Sequence, residues 1–322
     1  MHIYQKSFNS FGGNEVYKKT IAIVNPSSSN GNTGKEWPEF EKTIKNSGID
    51  LDVKHTEYPL HATGITKDAL KSGYEVIVSV GGDGTMNEVL NGFFEEGKQI
   101  NEDACLAILS RGTGCDLIRT LGIEKSVDSL IEILKNPKTI TCDVGLCKFI
   151  EYGGKKSERY FLNISDVGIG GETTYRVNKR SKLLKGFLSF LIASVNTIVL
   201  YKNKILEINI DDKINLNEKL NSIIIANGRY FGGGMEVAPL AKMDDGLFDI
   251  IILGNLNKLE LISNLPKIYK GTHLSHPKIS RYLGKHIKVR SLDKALVELD
   301  GEQPGTIDAE YDIIPKGIKI LV

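Results

Sequence analysis

Residues 79–92 read Ser-Val-Gly-Gly-Asp-Gly-Thr-Met-Asn-Glu-Val-Leu-Asn-Gly, and this stretch decides how the rest of the chain is read. It continues an apolar run, residues 75–80, with the character of a buried strand. It then leads into Met86, Val89, Leu90 and Phe93, which recur at i, i+3, i+4 and i+7, the spacing of one helix face. A strand, a glycine turn and a helix N-terminus together suit phosphate. Glycine lets backbone N–H groups approach an anion, and the unpaired amides of a first helical turn point at it. A plain strand-to-helix turn would account for the glycines, but not for Asp83, Thr85, Asn87 and Glu88 in the same few residues.

Working outward, strand-like residues 20–24, 51–55 and 104–109 alternate with helix-like residues 37–46, 66–71, 116–120 and 127–134. Such alternation predicts a doubly wound α/β domain over residues 20–139, with its ligand at the carboxyl ends of the strands. From about residue 138 strand runs dominate (139–144, 146–151, 159–164, 205–210, 222–226, 248–253, 286–289 and 296–299), separated by turn signals at 152–154 and 211–213. A β-rich second domain over residues 140–315, interrupted by helices near 181–201 and 259–269, is the expectation; residues 1–19 read as a loose leader.

The 322 residues are 41% apolar and 25% charged with a net charge of +1, a balance that argues against a nucleic-acid binder relying on bulk positive charge. The four cysteines lack C-x-x-C spacing and read as reduced thiols in a cytoplasmic protein. Residues 186–201 carry no charge but are short for a bilayer. Between Thr173 and Leu206 there is no acidic residue, while Arg176, Lys179, Arg180, Lys182, Lys185, Lys202 and Lys204 are basic and Leu183, Leu184, Phe187, Phe190 and Leu191 are apolar. Two readings stand for that segment: a docking face for an anionic membrane, or a core-packing helix with a basic rim.

Gly-Gly-Asp-Gly-Thr followed by Asn87-Glu88 resembles the diacylglycerol kinase catalytic family, which includes bacterial lipid kinases and sphingosine kinases. NAD kinases share the first five residues, but the Asn-Glu continuation resembles the lipid branch. Four further blocks follow the family's order: residues 25–35, 110–119, 227–247 and 298–302. The resemblance implies a Rossmann-like nucleotide domain and a β-sandwich-like second domain, with residues 316–322 returning to the first.

It also implies site residues. Gly81, Gly82, Asp83, Gly84, Thr85, Met86, Asn87 and Glu88 would hold nucleotide, with Lys35, Thr56 and Thr113 assisting. Asp116 would join a water-and-Mg²⁺ network, although a helix cap is an equal reading of that residue. Glu302 of Asp300-Gly301-Glu302 would be the general base, with Asp300 orienting it or joining the metal network. Lys242, Asp245 and Leu247 would bind a structural Mg²⁺, the outer two through carbonyls. One departure stands out: Cys115 occupies a position where the family has Asn.

The implied activity is ATP- and Mg²⁺-dependent phosphorylation of a lipid hydroxyl, with diacylglycerol the first candidate, by a cytoplasmic enzyme peripheral to the inner face of the membrane. The rival readings are an NAD kinase-like phosphotransferase and a non-catalytic lipid or nucleotide sensor. Oligomeric state is left open, a homodimer included.

Overall fold

The structure, a computed structural model, describes residues 19–112, 114–180 and 196–322. The expected leader over residues 1–18, Thr113, and the expected apolar helix from residue 181 to 195 with Lys182, Leu183, Leu184, Lys185, Phe187, Phe190 and Leu191 lie outside those residues, as do the side chains of Lys179 and Arg180.

The first part alternates strand and helix: β1 (Thr20–Val24), α1 (Asn32–Asn46), β2 (Asp52–His55), α2 (His61–Lys71), β3 (Val76–Gly81), α3 (Asp83–Gly92), β4 (Cys105–Ser110), α4 (Asp116–Leu121) and α5 (Val127–Lys135). The four strands pair in parallel in the order β2-β1-β3-β4. Their apolar residues alternate between two buried faces, as a sheet covered by helices on both sides requires. Ala22, Val24, Val78, Val80 and Leu109 pack with Trp37 and Ile44 of α1 and Leu130 and Ile133 of α5. Ile21, Ile23, Ile77, Leu106 and Ile108 pack with Ala69 and Leu70 of α2 and Val89, Leu90 and Phe93.

The second part is β-rich: β5 (Thr139–Ile150), β6 (Lys156–Phe161), β7 (Ile164–Gly168), α6 (Ile169–Arg180), β8 (Lys204–Ile210), β9 (Ile214–Leu220), β10 (Ser222–Ala226), β11 (Phe248–Leu253), α7 (Lys258–Tyr269), β12 (Ile279–Gly284), β13 (His286–Arg290), β14 (Leu296–Leu299) and β15 (Glu302–Leu321). Antiparallel β12-β11-β10-β7-β14 forms one layer. The strands β5, β6, β8, β9 and β13 form the other, and Phe149, Phe161, Ile208, Ile250, Val289, Val297 and Tyr311 fill the space between. The fold is therefore an α/β domain joined to a β-rich one, and β15 serves both. Its middle pairs with β13 and β5, while Lys319 and Ile320 pair in parallel with Cys105 and Leu106 of β4.

Several boundaries differ from the sequence expectation for identifiable reasons. The expected break at Gly145 is absent and β5 runs through it, because a side chain there would collide with the Phe161 ring. Conversely, the single strand expected over residues 159–164 is interrupted at Leu162 and Asn163, whose amides turn to bind a carboxylate of the site. Helix α2 starts at His61 rather than Thr66, since the Glu88 carboxylate accepts the N–H groups of Leu60 and Ala62 and caps it from another helix. Helix α6 begins directly after β7, earlier than expected.

Ile320 is fully buried between β4 and β5. Ile320→Ala should lower the stability of the protein by about 2–5 kcal/mol, measured by urea denaturation. A loss below about 0.5 kcal/mol, the range of an ordinary surface change, would show that β15 does not hold the two domains together.

Candidate active site

The loops singled out in the first domain emerge at the carboxyl ends of parallel strands: residues 25–35 after β1, Thr56 after β2, Gly82 and Asp83 after β3, and Arg111, Gly112, Gly114 and Cys115 after β4. Two of these turns touch backbone to backbone. A side chain on Gly112 would stand 2.8 Å from the Cα of Gly82, so position 112 needs glycine for this approach. The amide of Arg111 donates to the carbonyl of Gly81 (2.6 Å) and the Asn25 side chain donates to Thr85 Oγ1 (2.9 Å), which join the three turns into one floor.

The carboxylates gather above that floor. Asp83 opens α3, and its Oδ2 accepts the amide of Cys115 at 3.2 Å. Burial, followed by the charge of Asp116, pushes the Asp83 pKa up to about 7. Asp116 is buried at the start of α4, and its Oδ2 accepts the amide of Gly233 at 2.8 Å. Gly232, Gly233 and Gly234 all have positive φ, which turns this second-domain glycine cluster toward Asp116. Asp116 Oδ1 is buried without a hydrogen-bond partner among the described residues. Burial raises the pKa of Asp116 as well.

The hairpin turn between β14 and β15 supplies the other acids. Glu302 reaches over the N-terminus of α3, where a side chain on Gly84 would meet its Oε1 at 2.5 Å. Among the described residues no hydrogen bond engages its carboxylate. Burial raises its pKa, the charge of Arg159 opposes that, and Glu88 adds to it. Asp300 points the other way. Its carboxylate accepts the amides of Leu162 (2.9 Å), Asn163 (2.9 Å) and Ile164 (3.2 Å), and the Asn87 side chain at 2.9 Å. Asn87 is fully buried, also donates to the carbonyl of Tyr160, and accepts Arg159 Nε at 2.6 Å.

The candidate residues thus divide by position. Gly81, Gly82, Asp83, Gly84, Asp116 and Glu302 meet at one cleft between the domains. Thr85 is buried and held by Asn25, and Met86 packs its side chain into the core. Asn87, Glu88 and Asp300 spend their polar groups on internal bonds. Lys35 is exposed in the first turn of α1, and half-buried Thr56 donates its amide to the carbonyl of Val24. Lys242, Asp245 and Leu247 lie in the turn before β11, remote in sequence from the cleft residues, with Asp245 Oδ1 accepting the amide of Leu247 at 3.1 Å. Sequence reasoning missed Arg159, which carries no motif, and Lys125, whose ammonium donates to the Gly112 carbonyl at 2.6 Å.

This architecture, a glycine-rich α/β floor facing a β-rich domain that supplies acids, is that of a two-domain phosphotransferase fold. Two family models divide the chain: the diacylglycerol kinase catalytic domain matches residues 19–147, and the YegS C-terminal NAD kinase beta sandwich-like domain matches residues 164–322. The chain belongs to the diacylglycerol kinase catalytic family. It is similar to a diacylglycerol kinase of Staphylococcus haemolyticus (27% identical, covering 97% of this chain and 86% of that one). It is equally similar to a diacylglycerol kinase of Bacillus subtilis (27% identical, covering 98% and 94%). A crystal structure of a diacylglycerol kinase from Bacillus anthracis shares the fold, with a TM-score of 0.69 at 20% identity over 95% of this chain and 97% of that one.

Two outcomes test the geometry. Gly84→Ala should leave stability equal or up to about 1 kcal/mol higher, because alanine favours the helix. The flexible Glu302 side chain would swing aside, so turnover should fall at least about tenfold; unchanged turnover would place Glu302 elsewhere. The raised pKa of Asp83 means that the folded protein holds a proton the unfolded chain releases. The stability this proton contributes is complete below about pH 4 and is lost as pH rises through about 7. In the ligand-free protein, Asp83→Asn should match wild type at acid pH and exceed it above neutrality, measured by thermal denaturation across pH. Parallel curves would contradict this.

Proposed function

We infer that this protein is a lipid kinase that transfers the γ-phosphoryl group of ATP to the hydroxyl of a lipid, diacylglycerol being the acceptor that its relatives favour. The observation that carries the reading is the Glu302 carboxylate lying unbonded across the N-terminus of α3, opposite Asp83 and Asp116. A helix N-terminus behind a glycine turn is suited to the phosphates, with Gly82 and Gly84 lining the approach and Lys35 and Thr56 at its rim. A carboxylate within reach of that position is suited to take the proton of an attacking alcohol. As the lipid oxygen bonds to phosphorus and the bond to ADP breaks, Glu302 accepts the hydroxyl proton.

The donor set suits Mg²⁺: two carboxylates whose pKa burial raises, one of them raised further by the other's charge and the other with an oxygen lacking a hydrogen-bond partner among the described residues, are hard ligands in want of a cation. Asp83 and Asp116 would hold it, directly or through its waters. When bound it supplies charge neutralisation between the phosphates. The turn of Lys242, Asp245 and Leu247 would hold a second, structural ion, and nearby Asp143, whose pKa rises through burial and then through the charges of Asp245 and Asp244, favours a cation there. Among the described residues no helix is long and apolar enough to cross a membrane. Access to a bilayer lipid would come from the surface, and exposed Val199 and Leu200 beside Lys202 suit a docking edge.

Glu302→Gln should cut turnover by about 10²–10⁴ in an assay with labelled ATP, Mg²⁺ and mixed micelles of diacylglycerol, while ATP binding by calorimetry stays within a few-fold. Full turnover in this variant would remove Glu302 from the mechanism. Labelled NAD without labelled lipid would replace the lipid kinase reading altogether.

A further inference from the structure

Four residues before the proposed base lies a second buried acid, Glu298, to which no motif assigns a role. It is 5% exposed on β14, and its Oε1 accepts the amide of Gly301, the residue immediately before Glu302. Its other oxygen, Oε2, is buried without a hydrogen-bond partner among the described residues. Its direct cross-strand partner on β7 is Asp166, also buried. Asp166 is fully served: Gly170 and Gly171 at the start of α6 donate to its Oδ1 (2.9 and 3.2 Å), and Ser222 Oγ donates to Oδ2 at 2.5 Å.

We propose that Glu298 is a positioning residue for Glu302, fixing the Asp300–Gly301 turn through the Gly301 amide, and that it does so as the neutral acid. Two adjacent buried carboxylates cannot both be ionised at reasonable cost, and the one that receives three donors keeps the charge. Burial lifts the Asp166 pKa too, but its three donors hold the rise to about 6, so at neutral pH Asp166 is the anion and Glu298 holds the proton. The other groups facing this pair agree: Asp300 and Glu302 on the turn are acidic, and Tyr201 beside Asp166 is neutral. Burial, then the charges of Asp166, Asp300 and Glu302, push the Glu298 pKa well up, opposed by the Gly301 amide. An anion at Glu298 would also repel the Glu302 carboxylate, so the proton keeps the base in place. Because Asp166 caps α6 while Glu298 caps the turn, the pair ties the helix of the second domain to the position of Glu302.

This inference rests on the lipid kinase reading for its catalytic part only, and two measurements separate them. The infrared spectrum of the purified wild type minus that of Glu298→Gln near neutral pH should show one protonated-carboxyl stretch, the contributions of other acids such as Asp83 cancelling. Amide exchange at Gly301 should be protected in wild type and in Glu298→Gln, whose side-chain carbonyl still accepts the bond, and should be lost in Glu298→Ala. Neither depends on activity. In the kinase assay Glu298→Gln should keep turnover within about threefold, whereas Glu298→Ala should lose at least about tenfold in kcat with the KM for ATP little changed. Absence of the infrared band, or a Glu298→Gln protein as slow as Glu298→Ala, overturns the neutral-acid role. Wild-type turnover in Glu298→Ala overturns the positioning role. If Glu298→Ala fails to fold, the glutamine variant and the infrared band still decide; if wild type phosphorylates no lipid, the spectra and exchange do.

Discussion

The buried Asp300 carboxylate is the constraint to which the rest of the structure conforms. It receives three successive backbone amides, Leu162, Asn163 and Ile164, and the Asn87 side chain from the other domain. A charge buried there without partners would cost several kcal/mol, so these donors cannot be withdrawn separately. Strand pairing is given up at Leu162 and Asn163 to present the amides. Asn87 is held on the floor by its position in α3 and by Tyr160 and Arg159. The turn that follows Asp300 is thereby fixed relative to α3, and Glu302 lands over Gly84 as a consequence. Asp300 is in this sense a joint between domains, and its acidity serves the fold before it serves chemistry.

The same economy explains why so many acids are buried in and beside one cleft. Asp83, Asp116, Glu298, Asp300 and Glu302 all have raised pKa values, with burial the first cause in each case. Such a cluster destabilises an empty protein at neutral pH and would be relieved by a bound cation. The counter-charges are few and placed to the side: Arg159 near Glu302, Arg119 4.0 Å from Asp116, and Lys125 near Asp83. Stability is thus given up where a metal and phosphates would restore it.

How much of this was legible in the sequence follows from which signals are local. The parallel strands and α3 were readable because apolar periodicity and glycine spacing are written within a few residues. The shared cleft of Asp83, Asp116 and Glu302 was available only through resemblance, since nothing local places residue 302 beside residue 84. What failed to show was long-range. Glu88 caps α2 from 26 or more residues away, Phe161 fills the space above Gly145, and Asp300 breaks a strand 136 or more residues earlier. Asn87 and Glu88 carry the family's motif, yet their side chains are used for assembly, a distinction that spacing cannot draw.

Cys115 tests what the cleft asks of each position. The family has Asn here, a residue that tolerates the left-handed region, and Cys115 adopts that same region with φ of +54°. Its Sγ is held between Ser110 Oγ and the Gly112 carbonyl, each at 2.9 Å. The backbone therefore keeps its course, and the Cys115 amide still reaches Asp83. Gly114 beside it leaves room for the Asp83 carboxylate, whose Oδ2 would stand 2.8 Å from a Cβ at that position. The site depends at this point on the direction of an N–H group, which the exchange of Asn for Cys leaves intact. A chain released from catalysis would have no reason to preserve that strained backbone while changing its side chain, and the departure from the family's residue is for that reason no argument for a dead enzyme.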